Sequence, residues 1–326
     1  MNKVTIETNS KWDLNKLPYV TIVTPVYNRE DTILRAMRSI ENQSYKNIEY
    51  IVVDDGSTDN VASIVLDFMQ KTWIPMMFIR KENGGVHTAR NIAIKYARGE
   101  MYYCNDSDDE SFPDSIERLV MIWEHIPDRK REEYFEIKAR CKNQNEEEVG
   151  PRFPEGINDW KWEDIKRYYE SINAENVGFR VMSILKKNPW PEPEGVTFVG
   201  EDFLWKKLRK EYKTYLSNEI VQIYHMEGDD HLDFKLNPMR SLQQCRNVYW
   251  RTTYTLNNYE LFGNGNRKKL LLSRRMMLNV LRIKKGKNVK ISLINKSDRI
   301  MDIIIRPLTF LMAYIYVTKY NIRSER

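Results

Sequence analysis

The chain is 326 residues long, 41% hydrophobic and 30% charged, which is ample for a sizeable core and excludes a disordered or fibrous protein. Its three cysteines, Cys104, Cys141 and Cys245, form no CxxC pair; they exclude a disulfide scaffold, fit a reducing compartment and argue against a structural zinc site. The formal net charge is +6, but residues 264–326 hold 16 Lys and Arg against 3 Asp and Glu, a balance of +13 that leaves −7 on the rest. Such asymmetry directs the tail towards something anionic, nucleic acid or lipid.

The N-terminal residues carry no apolar stretch of a secretory signal, so none is expected. The longest apolar run, residues 300–317, is broken by Asp302, Arg306 and Pro307. A polytopic membrane protein is therefore not expected, whereas one seated on a membrane surface remains compatible.

Residues 19–25 (YVTIVTP) read as a strand ending in a Thr-Pro turn, and residues 31–43 as a helix with Ile33, Met37 and Ile40 on one face. Residues 49–53 (EYIVV) read as a second strand, 61–69 as a helix and 76–80 as a third strand. After the turn Asn83-Gly84-Gly85, residues 86–98 are helical, with Gly99 expected as the C-cap, and 100–104 (EMYYC) form a fourth strand. Further helices are expected over 110–127, 160–172 and 201–212, polar hairpins and loops over 131–160, a Pro-rich loop within 173–200, and one or two strands over 214–224. A helical period covers 236–262, and basic amphipathic stretches cover 267–285 and 299–317.

Strand–helix alternation over 19–104 implies an α/β fold with a doubly wound, mainly parallel sheet, which binds ligands at the carboxyl ends of its strands. The residues expected there are Thr24 and Tyr27, then Asp54 and Asp55, then Asp106, Asp108 and Asp109. Carboxylates two apart in a turn can hold Mg²⁺ or Mn²⁺ together with phosphate oxygens, although an acidic capping turn has the same composition. A carboxylate at Asp54 or Asp55 can accept from a nucleobase imide or a ribose hydroxyl, or simply cap the next helix. Neither G-x-G-x-x-G nor a Walker A sequence is present in this loop. Asn83-Gly84-Gly85 before a helix, with Arg90 one turn on, can favour an anion, or be an ordinary glycine turn.

In order and spacing, TIVTPVYNRE, YIVVDDGSTDN, NGGVHTARNIAI and DSDD resemble the family 2 glycosyltransferases of the GT-A fold, strongly over residues 19–110 and more weakly to about 232 through GEDFLWKKL and VQIYHMEGDDHL. The resemblance implies a GT-A catalytic domain over 1–235 and a helical basic extension over 236–326. It implies inverting transfer of a sugar from a nucleotide-sugar donor, a UDP-sugar by family frequency, with a divalent cation. Thr24, Pro25 and Tyr27 would line the nucleotide pocket, Asp55 would hold the base with Asp54 beside it, and Arg90 would contact the nucleotide or diphosphate. Asp106 and Asp108 would meet ribose and metal, with Asp109 and His225 as further ligand candidates. Glu201-Asp202 stands at the family's ED motif, whose Asp is the general base, with Glu201 as its rival. The transition state would have oxocarbenium character; the cation and Arg90 would offset charge on the departing nucleoside diphosphate while Asp202 takes the acceptor's proton.

Among the aromatics Trp160, Trp162, Tyr168, Tyr169, Trp190 and Trp205, one or two are expected to stack on the acceptor and the rest to pack in the core. The basic stretches over 267–318 read as a membrane surface, or as helices packed on the catalytic domain with a solvated basic face, rather than as a nucleic-acid module; the membrane reading suits a saccharide or lipid-linked acceptor in bacterial capsule, lipopolysaccharide or exopolysaccharide assembly. That places the protein in the cytoplasm, peripheral on the inner face of the cell membrane. The rival readings are a catalytically degenerate membrane scaffold of the same fold and a nucleotidyltransferase, which would be expected to carry a Gly-rich phosphate loop after the first strand.

Overall fold

A computed structural model describes residues 4–16, 19–154, 159–160, 176–225, 242–259, 266–285, 294 and 296–320. The chain divides into two units, one of Met1–Trp190 with Lys207–Glu227 and one of Pro191–Lys206 with Gly228–Arg326. Residues 191–206, kept with the catalytic part in the sequence reading, thus group with the C-terminal helices.

In chain order the first unit holds β1 (Thr5–Thr8), β2 (Val20–Val26), α1 (Ile33–Glu41), β3 (Ile48–Asp54), α2 (Val61–Lys71), β4 (Met76–Arg80), α3 (Val86–Tyr96) and β5 (Met101–Cys104). There follow β6 (Glu110–Ser111), α4 (Ser115–His125), α5 (Asp128–Arg131), β7 (Tyr134–Asn143), β8 (Glu148–Val149), β9 (Asp159–Trp160), β10 (Asn176–Val177), β11 (Phe179–Val181) and α6 (Met182–Lys187). The division between units falls within α7 (Asp202–Glu211), and β12 (Lys213–Tyr224) returns to the first.

All these strands join one sheet, ordered β1-β4-β3-β2-β5-β11-β7-β12-β6, with β8 and β10 added to β7 and β9 to β12. The run β4-β3-β2-β5 is parallel, as the alternation requires. Strands covered on both faces tolerate unbroken apolar sequence, and every residue of β2 and β3 is buried. Ile33, Met37 and Ile40 of α1 and Val61, Val65 and Phe68 of α2 pack into the same core as Ile22, Tyr50, Val52 and Phe78. Register aligns Val26 with Asp54 and Asp54 with Arg80, so the strands end level.

Three expectations need correction. The helix expected over 110–127 starts at Ser115, because Glu110 and Ser111 pair with Ile223 and Gln222 of β12. Gly99 is no left-handed cap. A Cβ there would lie 2.6 Å from the Thr21 backbone nitrogen, so the glycine permits close contact between two backbones. The polar stretch after residue 131 contains β7, ten residues inside the sheet between β11 and β12. Its odd positions Ile137, Ala139 and Cys141 enter the core, while Glu136, Lys138 and Arg140 are buried despite their charge. The helix expected over 160–172 lies outside the described residues, apart from Trp160 at the end of β9.

The second unit contains α8 (Leu242–Asn257), α9 (Arg267–Lys285), α10 (Lys296–Ile304) and α11 (Arg306–Tyr320). Its core gathers Cys245 and Tyr249 with Met277, Leu278 and Leu281 of α9 and Ala313 of α11. Arg274 and Arg275, both buried, converge on the Asp302 carboxylate and fasten α10 to α9. Burial, and the nearby Arg306, Arg274 and Arg282, push the Arg275 guanidinium down to about 10.

Candidate active site

The carboxyl ends of β2, β3 and β5 carry the three loops singled out in the sequence, and side chains knit them into one edge. Asn28, in the left-handed region at φ 50°, accepts from the Thr58 N–H at 2.8 Å, while its own N–H donates to Ser57 Oγ at 2.9 Å. Glu30 accepts from the Asn60 N–H at 2.9 Å, and Asp59 accepts from the Glu30 N–H at 3.0 Å. These contacts brace the loop after β2 against the loop after β3.

Asp54 and Asp55 differ sharply. Asp54 is fully buried, accepting from the Ser57 N–H at 2.7 Å and from Arg80 Nε at 2.9 Å. It builds the turn. Asp55, 3% exposed, accepts from the Gly84 and Gly85 N–H groups at 3.0 and 2.7 Å and from Lys81 Nζ. The anion favoured by the glycine turn is therefore the chain's own carboxylate. Gly85 takes φ 95°, which suits glycine, and starts α3 there.

His87, on the first turn of α3, is fully buried with neither ring nitrogen hydrogen-bonded. Burial, then the charges of Lys81 and Arg90, lower its pKa to about 4 from an ordinary 6.5. Between those values the unfolded chain binds a proton that the folded chain refuses, so stability should fall as pH drops through that window. His87→Leu should flatten that part of the profile, read as thermal midpoints at a series of pH values.

The loop after β5 is anchored from below. Asn105 is fully buried; its carbonyl accepts from Thr24 Oγ1 at 2.7 Å and its side-chain oxygen from Ser111 Oγ at 2.8 Å. Thr24 also accepts from the Tyr50 hydroxyl at 2.8 Å, so its hydroxyl works inside the sheet rather than on a ligand. Pro25 is likewise buried, whereas Tyr27 is 46% exposed. Above that floor, Asp106 and Asp108 have side chains 49% and 41% exposed. Arg90, 4% exposed, reaches Asp106 Oδ1 from α3 at 3.3 Å, and Arg29 Nε lies 3.8 Å from Asp108 Oδ2. Arg35 donates to the Asp108 carbonyl at 2.6 Å.

Asp109 and His225 are placed differently from the expected ligand set. Asp109 is buried and accepts from the His225 backbone N–H at 3.1 Å, while the His225 ring sits 2.8 Å from Glu110 Oε1. Among the described residues no group of three or more His, Cys, Asp or Glu is positioned to hold a metal ion. The half-exposed hard carboxylates of Asp106 and Asp108 nonetheless fit a cation of the Mg²⁺ or Mn²⁺ kind, which is commonly held by one or two carboxylates and completed by substrate phosphates.

Glu201 and Asp202 belong to the second unit, where Glu201 Oε2 accepts from Trp205 Nε1 at 2.9 Å and Asp202 opens α7, its side chain lying outside the described part of the structure. Trp190 and Trp205 are buried and offer no stacking platform; Trp162, Tyr168, Tyr169 and the side chain of Trp160 lie outside the described residues. The sequence reading missed Lys81, Asn105, Arg29 and Arg35. Lys81 had a visible signal, a cation directly after a strand and before the glycine turn. Asn105 had one too, as the polar residue linking strand to DSDD.

Residues 21–132 match the model of the family described as Glycosyl transferase family 2. An uncharacterized glycosyltransferase of Haemophilus influenzae is 37% identical over 112 residues, 34% of this chain and 45% of that protein. One of Rickettsia typhi is 40% identical over 105 residues, 32% of each chain. The match thus spans less than half the length of these relatives. Among solved structures, S. aureus TarS 1-349 in complex with UDP-GlcNAc aligns with TM-score 0.53 at 17% identity, covering 92% of this chain and 88% of that one. A mannosyltransferase of Pyrobaculum calidifontis, in complex with GDP-Man and Mn²⁺, aligns with TM-score 0.51 at 15% identity, covering 92% and 86%. The fold is of the GT-A type, a mixed, mostly parallel sheet with helices. Residues 21–132 are thus similar to glycosyltransferase family 2 domains.

Proposed function

We propose that the protein is an inverting glycosyltransferase using a nucleoside-diphosphate sugar. The observation that carries this reading is the edge formed by Asp106, Asp108, Arg90 and Arg29 above a rigid floor of Thr24, Tyr50 and Asn105. Asp55, locked onto Gly84 and Gly85, fixes the wall of the nucleotide pocket and Tyr27 offers a ring to the base. Arg90 places positive charge where a departing diphosphate gains negative charge. A divalent cation held by Asp106 and Asp108 would add Lewis-acid stabilisation of the same oxygens. The family resemblance assigns the proton of the attacking acceptor hydroxyl to Asp202, with Glu201 as the alternative base, in a single displacement that would invert the anomeric centre. A UDP-sugar is the donor favoured by family frequency and by the UDP-GlcNAc complex of TarS; a saccharide or lipid-linked saccharide is the acceptor, in assembly of a bacterial surface polysaccharide at the inner face of the membrane.

Thermal unfolding tests the donor site. UDP with Mn²⁺ at ~100 times its dissociation constant should stabilise by roughly 2.7 kcal/mol. A response to GDP instead would change the base, and no response to any nucleoside diphosphate, with or without metal, would overturn the reading in favour of a non-catalytic scaffold.

A further inference from the structure

The two last helices turn an apolar face outward. On α10, Asp302 points inward to Arg274 and Arg275, and on α11 Thr309 and Ala313 are fully buried. The helical period leaves the other sides outside. There Ile300, Ile303, Ile304, Leu308, Phe310 and Leu311 are each between 53% and 66% exposed. A solitary exposed leucine is ordinary, but a contiguous patch of this kind marks an interaction surface. Arg299 and Arg306 are exposed on the same two helices.

The occupant follows from charge and from helix geometry. A second copy meeting this face about a two-fold axis would set Arg299 and Arg306 against their own copies, while the acidic residues of the two helices, Asp298 and Asp302, are buried and paired with Arg267, Arg274 and Arg275. A bilayer with anionic headgroups satisfies both properties, since it takes apolar side chains and attracts cations. No single described helix is long and apolar enough to cross a membrane, and Asp298–Ile304 meets Arg306–Thr318 at 62°. By length and composition that bent pair passes for a broken span, but Asp302 is buried against Arg274 and Arg275 and Ala313 packs with α9, which keeps one side of the pair on the protein. The basic stretch 267–285, read from sequence as part of the same surface, contributes differently: Met277, Leu278 and Leu281 of α9 are in the core.

We propose that α10 and α11 form the face by which this protein lies on an anionic lipid surface, with Arg299 and Arg306 at the phosphates and the isoleucines, leucines and Phe310 at the acyl boundary. The test is co-sedimentation of the full chain with vesicles of phosphatidylglycerol and phosphatidylcholine, and with vesicles of phosphatidylcholine alone. Binding is expected to the anionic vesicles and to weaken as salt rises. Phe310→Glu with Leu311→Glu should weaken it more than about tenfold, with the thermal midpoint unchanged because both side chains are exposed, and Arg299→Gln and Arg306→Gln should weaken it about fivefold each. Equal affinity for neutral vesicles would overturn the proposal. So would a concentration-dependent dimer, without vesicle binding, that Phe310→Glu abolishes. Neither readout uses sugar transfer, so the result stands apart from the catalytic reading.

Discussion

Asp108→Ala should lower the rate of sugar transfer by at least about a hundredfold, ~2.7 kcal/mol of transition-state stabilisation, and leave the thermal midpoint where it is. The two halves of that expectation have separate origins. The Asp108 side chain is 41% exposed and meets Arg29 Nε at 3.8 Å, an ion-pair geometry worth little to folding. Its backbone is held independently, through the Arg35 bond to its carbonyl. Removing the carboxylate therefore strips a charge from the diphosphate edge without loosening the loop. The stabilisation by UDP with Mn²⁺ should disappear in the same variant. Asp54→Ala supplies the contrast. That carboxylate is fully buried and holds both the Ser57 N–H and Arg80, so its loss should lower the thermal midpoint before any kinetic effect can be read. If Asp108→Ala retained full transfer and full nucleotide response, the proposed role of this edge would fall.

The difference between Asp54 and Asp108 also shows how far the sequence could be read. Both are acidic residues in a turn after an apolar strand, and that pattern puts both at the ligand edge of a parallel sheet. What each carboxylate does there depends on donors far away in the chain: Arg80 for Asp54, Lys81 with the Gly84 and Gly85 amides for Asp55. The parallel half of the sheet was legible because apolar strands and 3.6-period helices alternate over residues 19–104 with a turn signal at each junction. The second half was not. β7 reads YFEIKARCKN, in which Glu136, Lys138, Arg140 and Lys142 take alternate positions, and the surrounding stretch is polar enough to pass for loops. His225 illustrates the same limit, since its pairing with Glu110 joins the end of β12 to β6 across more than a hundred residues.

Glu136 is the residue whose loss should cost most in stability. It is fully buried in β7, accepting from Arg209 Nε and Thr214 Oγ1, each at 2.8 Å, with Arg180 Nε 3.9 Å away. Burial alone would raise its pKa, but Arg209, Lys138 and Arg180 outweigh burial and bring it to about 2 from an ordinary 4.5. Glu136→Ala removes the carboxylate and leaves this buried cationic cluster with its counter-charge gone, a class of change that costs about 3–5 kcal/mol. Urea denaturation should show it as a lower midpoint. The carboxylate's contribution is fully present above its unfolded pKa of 4.5 and is lost as pH falls towards the folded value of about 2, so the variant's acid limb should be flatter there. The pair Glu136→Leu with Arg209→Leu should cost less than Glu136→Leu alone, because it removes two opposite charges together and spares one buried guanidinium the loss of its partner. A double variant as unstable as the sum of the two single ones would mean that the ion pair is not what holds β7 in the sheet. Coupling, by contrast, would place the origin of this strand in charge compensation from α7 and β11, which explains why a ten-residue strand with four charged side chains lies inside a sheet.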